Sequence, residues 1–259
     1  MALPNSFDEM HEYLETAYRR FAQQLFVNSD PIQIPHRFAD KADVEIAALL
    51  ASTIAWGNRR SIISSMERLL NLMDNRPHEF VLNFGRADAQ RLKGFVHRTF
   101  NADDAAGFIQ ALQRIYLNHN GLHGVFLEGY QQSGSIEGAL RHFRHIFCAA
   151  DFPQRSLKHV ANVDAGSAAK RLNMFLRWMV RPSTEGIDFG LWNDIPTSAL
   201  LVPLDVHSAR VGRTLGLLQR RQNDLRAVQE LTHELSLFDP NDPVKYDFAL
   251  FGLGIYGEL

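Results

Sequence analysis

Two stretches of the chain combine residue types that do chemistry with a local setting that would aim them. The first, Asp164-Ala-Gly-Ser-Ala-Ala-Lys-Arg-Leu-Asn-Met-Phe-Leu-Arg-Trp, is a turn of small residues feeding a helix whose first turn carries Lys170. Small side chains let a backbone come close to a ligand, and the N–H groups exposed at a helix start favour an anion, most often a phosphate. The second, Pro203-Leu-Asp-Val-His-Ser-Ala-Arg-Val-Gly-Arg, opens another helix with Asp205 at the cap position and His207 just inside. A carboxylate there is held ionised by the helix dipole and cap hydrogen bonds, the state suited to stabilising a developing positive charge. A lysine acts as a nucleophile only after losing its proton, which burial, a helix N-terminus or a neighbour such as Arg171 promotes. The plain structural roles of the same residues are an N-cap for Asp205 and a solvated lysine or phosphate contact for Lys170.

Other chemistries find less support. His119 and His123 are spaced to share a helix face, as are His142 and His145, but Gly121 interrupts the first pair and no His-Glu-x-x-His occurs. These histidines read as ordinary surface or core residues. Serine-elbow and phosphate-loop motifs are absent from the sequence. The single cysteine, Cys148, cannot form an internal disulfide, a thiolate zinc site or an iron-sulfur cluster, and its apolar flank of Ile146 and Phe147 suits a buried, inert thiol.

The elements that must position these residues read as helices almost throughout, because apolar residues recur at helical spacing and alternating strand-like runs are nearly missing. Helices are expected near 6–26, 41–56, 59–73, 77–84, 101–118, 122–131, 135–149, 167–181, 206–216, 223–236 and 243–256. Val44-Glu-Ile-Ala-Ala-Leu-Leu-Ala-Ser-Thr-Ile-Ala is apolar nearly all round, the mark of a helix buried on every side. It emerges into Trp56, Gly57, Asn58, Arg59 and Arg60, either a solvated helix end or an aromatic and basic contact surface. With 259 residues, 46% hydrophobic and a net charge of -2, the chain can bury a real core, and it shows neither an export signal nor an apolar run long enough to span a bilayer. A soluble cytoplasmic protein is expected. Between Gly166 and Arg221, however, eight basic residues face four acids, a local excess of four positive charges. Nucleic acid therefore stays open as a partner.

Gly166-Ser-Ala-Ala-Lys-Arg-Leu-Asn resembles the second half of the hairpin of the helix-hairpin-helix DNA glycosylases, the superfamily of endonuclease III and 8-oxoguanine glycosylase. Leu204-Asp-Val-His-Ser-Ala-Arg-Val is similar to their catalytic aspartate helix. Glu45-Ile-Ala-Ala-Leu-Leu-Ala-Ser-Thr-Ile-Ala looks like their first core helix, and Asp247-Phe-Ala-Leu-Phe-Gly-Leu-Gly like the closing helix of the core. The four segments follow one another in the superfamily's order. Departures are Asp164-Ala165 for Leu-Pro, Ala168 for the second glycine, Thr53 for a glutamine, an insert around Arg181–Ser198, and no cysteine cluster. Over nearly its whole length the chain also resembles an uncharacterised bacterial family, carried by Lys170–Arg181, Pro203–Arg210 and the stretch from Asp239 through Leu250.

The resemblance implies an all-α, two-lobed helix-hairpin-helix glycosylase-like fold. Residues 40–155 would form a central helical lobe, and residues 1–39 with 156–259 a second lobe, with the active site in the cleft between. It implies excision of a damaged or modified base from double-stranded DNA, with associated abasic-site lyase activity if Lys170 is the nucleophile and Asp205 the electrostatic stabiliser. Gly166, Ser167 and Ala168 would contact a phosphate directly or through a bound monovalent cation, without an iron-sulfur cluster. Arg171, His207, Arg210, Trp56 and Arg59 are the further candidates for DNA contact; Trp56 and Trp178 read either as wedges or as core. The rival expectations are a catalytically silent nucleic-acid-binding module and a helical scaffold of the same fold.

Overall fold

Capping chemistry sets the helix starts. The computed structural model describes residues 3–149 and 152–257. In chain order they form α1 (Phe7–Phe21), α2 (Lys41–Thr53), α3 (Arg59–Leu72), α4 (Pro77–Asn83), α5 (Arg86–Arg91), α6 (Ala102–Asn118), α7 (Gly121–Ser133), α8 (Ile136–Phe147), α9 (Lys170–Val180), α10 (Val206–Thr214), α11 (Leu225–Phe238) and α12 (Tyr246–Ile255). The side chains of Ser6, Asp40, Asn58, Asn101, Ser135, Asp205 and Asp224 each accept a backbone N–H from the first turn of the helix that follows. Those donors have no partner within the helix. Among the described residues the strands are confined to the hairpin of β1 (Val96–His97) and β2 (Phe100–Asn101). The protein is predominantly helical. The hairpin and α5 were not expected, since two-residue strands and a six-residue helix are too short to show a period.

The chain divides into two compact units, one of residues up to Phe26 with those from Val163 onward, the other Val27–Asn162. These boundaries lie outside the expected 40 and 155, and residues 1–2, 150–151 and 258–259 of the expected lobes fall outside the described residues. The shift has a packing cause. Short 3-10 turns at Pro31–Gln33 and Pro35–Arg37 lie against α2 and bury Ile32 and Ile34, which ties the preceding segment to the central helices. At the other end, the turn Gln154–His159 packs on α6, where the Ser156 hydroxyl donates to Asp104 at 2.6 Å.

In the Val27–Asn162 unit α2 is the central helix, with every residue from Val44 to Thr53 buried. Its one buried acid, Glu45, accepts a hydrogen bond from the Tyr116 hydroxyl at 2.8 Å, which satisfies a charge that burial alone would make costly. Helices α6, α7 and α8 pack together, and Phe126 stacks on Phe143 with ring centroids 4.6 Å apart.

In the other unit α12 packs against α1 and α10 over a core that includes Leu14, Val211, Leu231, Leu235 and Leu250. Gly252 makes the α1–α12 contact close: a Cβ there would lie 2.2 Å from the Phe21 ring. Gly252→Ala is therefore expected to lower stability by about 1–3 kcal/mol, the usual cost of overpacking, read as a lower urea midpoint at unchanged slope. An unchanged midpoint would mean that Phe21 simply swings aside.

Candidate functional site

The turn before α9 is built differently from the expected hairpin half. Gly166 takes φ +80°, Ala169 takes the left-handed φ +47° as N-cap, and the helix begins at Lys170 rather than 167. Ser167 pairs in an isolated bridge with Asp224, and the Leu225 N–H donates to the Gly166 carbonyl at 2.9 Å. The Asn173 side-chain amide donates to the Ala168 carbonyl at 3.1 Å. The carbonyls of two of the three residues expected to make backbone contacts, Gly166 and Ala168, thus each already accept a hydrogen bond from the chain itself.

Beyond that turn the geometry converges. Lys170 at the start of α9 and Asp205 at the start of α10 meet, with Nζ 3.9 Å from Oδ2 and both side chains partly exposed. The two oxygens of Asp205 face different partners. Oδ1 accepts the backbone N–H groups of His207 at 2.8 Å and Ser208 at 2.9 Å, so the residue does act as the cap, while Oδ2 faces the lysine. Behind this pair lies Asp247 on α12. Its Oδ1 accepts the Ser208 hydroxyl at 3.3 Å and its Oδ2 accepts Arg177 Nη1. Ser208 therefore joins the two carboxylates, with its N–H on Asp205 and its hydroxyl on Asp247.

Burial pushes the Asp247 carboxyl up to about 6, the charge of Asp205 adding to the rise and Arg177 and Lys170 opposing it. A value above that of the unfolded chain means that the stability Asp247 contributes is full below about pH 4 and is lost as pH rises through about 6. Relative to Asp247→Asn, wild type is expected to lose about 2 kcal/mol between pH 4 and pH 8, measured by urea unfolding of both proteins. A pH-independent difference would show that Asp247 does not titrate in that range.

Most of the remaining expected contacts already have partners within the chain. Arg171 is desolvated, which lowers its guanidinium below its ordinary value. Arg210 is exposed and donates to the Gly254 carbonyl at 2.8 Å, and the His207 ring lies edge-on to Phe251 with centroids 6.3 Å apart. Trp178 is fully buried and belongs to the core. In the Val27–Asn162 unit, half-buried Trp56 stacks on His159 at 5.7 Å and meets His97 edge-on at 5.2 Å, while Arg59 pairs with Asp30 at 3.5 Å. His123 lies 3.2 Å from Lys41, and His142 lies 3.4 Å from Glu128. Among the described residues no three His, Cys, Asp or Glu side chains are grouped to hold a metal ion. Cys148 ends α8, and burial pushes its thiol up to about 11, away from the reactive thiolate.

The positive excess between Gly166 and Arg221 is in part taken up inside the molecule. Arg177 pairs with Asp188 and Asp247; Arg181, 2% exposed, pairs with Asp188, Asp242 and Glu185. Arg220 pairs with Asp224, and Arg213 donates to the carbonyls of Arg220 and Arg221. The sum of charges along a segment overstated the basic surface because two of its arginines are core residues.

Sequence reading missed Asp247, Arg177 and Ser208 as parts of this site, although one signal was present. Asp247 is the lone charge in Tyr246-Asp-Phe-Ala-Leu-Phe-Gly-Leu-Gly-Ile, and Arg177 is the lone charge in Met174-Phe-Leu-Arg-Trp-Met-Val. Isolated charges of opposite sign in apolar helices must find partners on folding. No curated protein and no solved structure matches the chain. Residues 30–256, which include every member of the Lys170, Asp205 and Asp247 cluster, match the family described as "Protein of unknown function (DUF2400)", and the chain belongs to that family.

Proposed function

We propose that the protein is a DNA glycosylase with the two-lobed helix-hairpin-helix fold, excising a damaged or modified base from duplex DNA, with abasic-site lyase activity. The observation that supports this reading is the meeting of Lys170 Nζ and Asp205 Oδ2 at 3.9 Å, from two helix starts 35 residues apart in the chain. The target base is flipped out of the helix. Lys170, deprotonated, forms a bond to the anomeric carbon as the glycosidic bond breaks, and the base leaves with the bonding pair and takes up a proton. Asp205, ionised at its cap, stabilises the positive charge that builds on the sugar. Opening of the sugar ring gives a Schiff base to Lys170, from which the 3′ phosphate can be eliminated. Arg210 and His207, on the same helix as Asp205, are candidates for contact with backbone phosphates.

The test is a panel of duplexes carrying single lesions, scored for base release, together with borohydride trapping on an abasic duplex. Covalent trapping with release of at least one base supports the reading; neither event at any lesion overturns it. The cap hydrogen bonds of Asp205 favour a second reading, a silent nucleic-acid-binding module in which the carboxylate is only structural. That reading requires salt-dependent duplex binding that Asp205→Asn leaves unchanged, with no base released.

A further inference from the structure

A groove of about 280 Å³ lies along α1 where α12 packs against it, and the chemistry proposed above does not use it. Tyr13 and Phe21 of α1 and Leu253 of α12 form its apolar part. Glu12, Thr16 and Arg20 form a polar stripe beside them, spaced four residues apart and so stacked on one face of the helix. All three are exposed. Glu9, also in the groove, keeps the first end acidic while accepting the Asn5 N–H at 2.8 Å. At the other end the Arg20 guanidinium lies over the Phe21 ring at 4.8 Å, and Tyr256, 70% exposed, stacks on the same ring with centroids 5.4 Å apart. The neighbouring Arg19 turns to Glu15 at 3.8 Å.

The order of charge along the stripe selects the occupant. A ligand of one sign is favoured at one end of the groove and repelled at the other. A second copy of α1, run antiparallel, satisfies both ends at once. Thr16 stands midway between Glu12 and Arg20, so a twofold axis through Thr16 sets Glu12 of each copy opposite Arg20 of the other. The two ion pairs then lie about 12 Å apart along the helix, at about 1.5 Å of rise per residue. A small side chain at the axis is what lets two helices approach to about 8–10 Å. Exposed aromatic rings beside such a stripe, as Tyr256 is here, belong to the residue types enriched at interfaces between proteins.

We propose that the protein forms a twofold dimer through this face, with α1 of one copy antiparallel on α1 of the other and Thr16 at the axis. One helix pair buries less than the roughly 1,600 Å² of a standard interface, so the dimer forms in the micromolar range and dissociates on dilution. It is independent of the reaction proposed for Lys170 and Asp205.

Sedimentation velocity of the full chain, followed from low to high micromolar concentration, reads the dimer directly. Wild type should sediment as a monomer when dilute and as a dimer when concentrated. Glu12→Lys and Arg20→Glu each set like charges opposite one another at both ion pairs, and each should weaken self-association at least about tenfold. Mixed in equal amounts, the two variants should associate to within about threefold of wild type, because each supplies the charge that the other lacks. Both positions are exposed, so the thermal midpoints should stay close to that of wild type. Thr16→Cys should form an intermolecular disulfide on mild oxidation and lose it in the Arg20→Glu background, since only a residue at the axis meets its own copy. A wild-type chain that stays monomeric at every concentration overturns the proposal and leaves the groove to a different occupant. A dimer that neither charge reversal weakens, or that the mixture fails to restore, overturns this face as its interface.

Discussion

Lys170→Gln is expected to abolish borohydride trapping on an abasic duplex, a fall on the order of a thousandfold or more for loss of a nucleophile, without measurable loss of stability. The separation of the two effects follows from the geometry. Lys170 is about one-third exposed, and its contact with Asp205 at 3.9 Å is a partly exposed ion pair, a class worth about 0–1 kcal/mol. Asp205→Asn makes the companion measurement. Asparagine caps a helix about as well as aspartate, so the N–H groups of His207 and Ser208 keep an acceptor and the thermal midpoint should hold. The negative charge facing Lys170 is lost, and base release should fall by on the order of a hundredfold to a thousandfold if that charge stabilises the transition state. Equal trapping by Lys170→Gln would remove the lysine as nucleophile. Full activity in Asp205→Asn would reduce the carboxylate to a cap.

Arg177→Met is expected to have the largest effect on folding, a loss of about 3–5 kcal/mol, the cost of removing one partner from a buried ion pair. Arg177 is 4% exposed, holds Asp188 through Nε at 3.3 Å and Asp247 through Nη1, and lies over the Phe248 ring at 4.3 Å. Methionine fills much of the same volume but leaves two buried carboxylates without that donor. Asp188 keeps Arg181 at 3.2 Å, whereas among the described residues Asp247 keeps only the Ser208 hydroxyl as a hydrogen-bond donor. Adding Asp247→Asn to Arg177→Met should therefore recover a substantial part of the loss, because it removes the charge left stranded. Urea unfolding of both single variants and the double variant gives the coupling directly. Additive losses would mean that the two side chains do not act as a pair.

The helices were legible because their signals are local. Apolar spacing, the Asn101, Ser135 and Asp205 caps, and the all-round apolar Val44–Ala55 stretch each need only a few neighbouring residues to express their preference, and the corresponding helices begin within a residue or two of the expected places. The start of α9 was misplaced because Ser167 pairs with Asp224, a partner 57 residues away that no local spacing announces. The hairpin Val96–Asn101 was missed because two residues per strand carry no period.

At the site, residue type and local spacing were enough to single out Lys170 and Asp205 at their helix starts and to make Asp205 the cap of α10. Their surroundings depend on packing between distant segments. Arg177 and Asp247 are 70 residues apart and meet because each is a lone charge on a buried helix face, where leaving either without a partner would cost several kcal/mol. Packing likewise takes Arg177 and Arg181 of an apparently basic segment into the core. Charge counted along a chain says nothing of burial, and burial is settled by which helices pack on which.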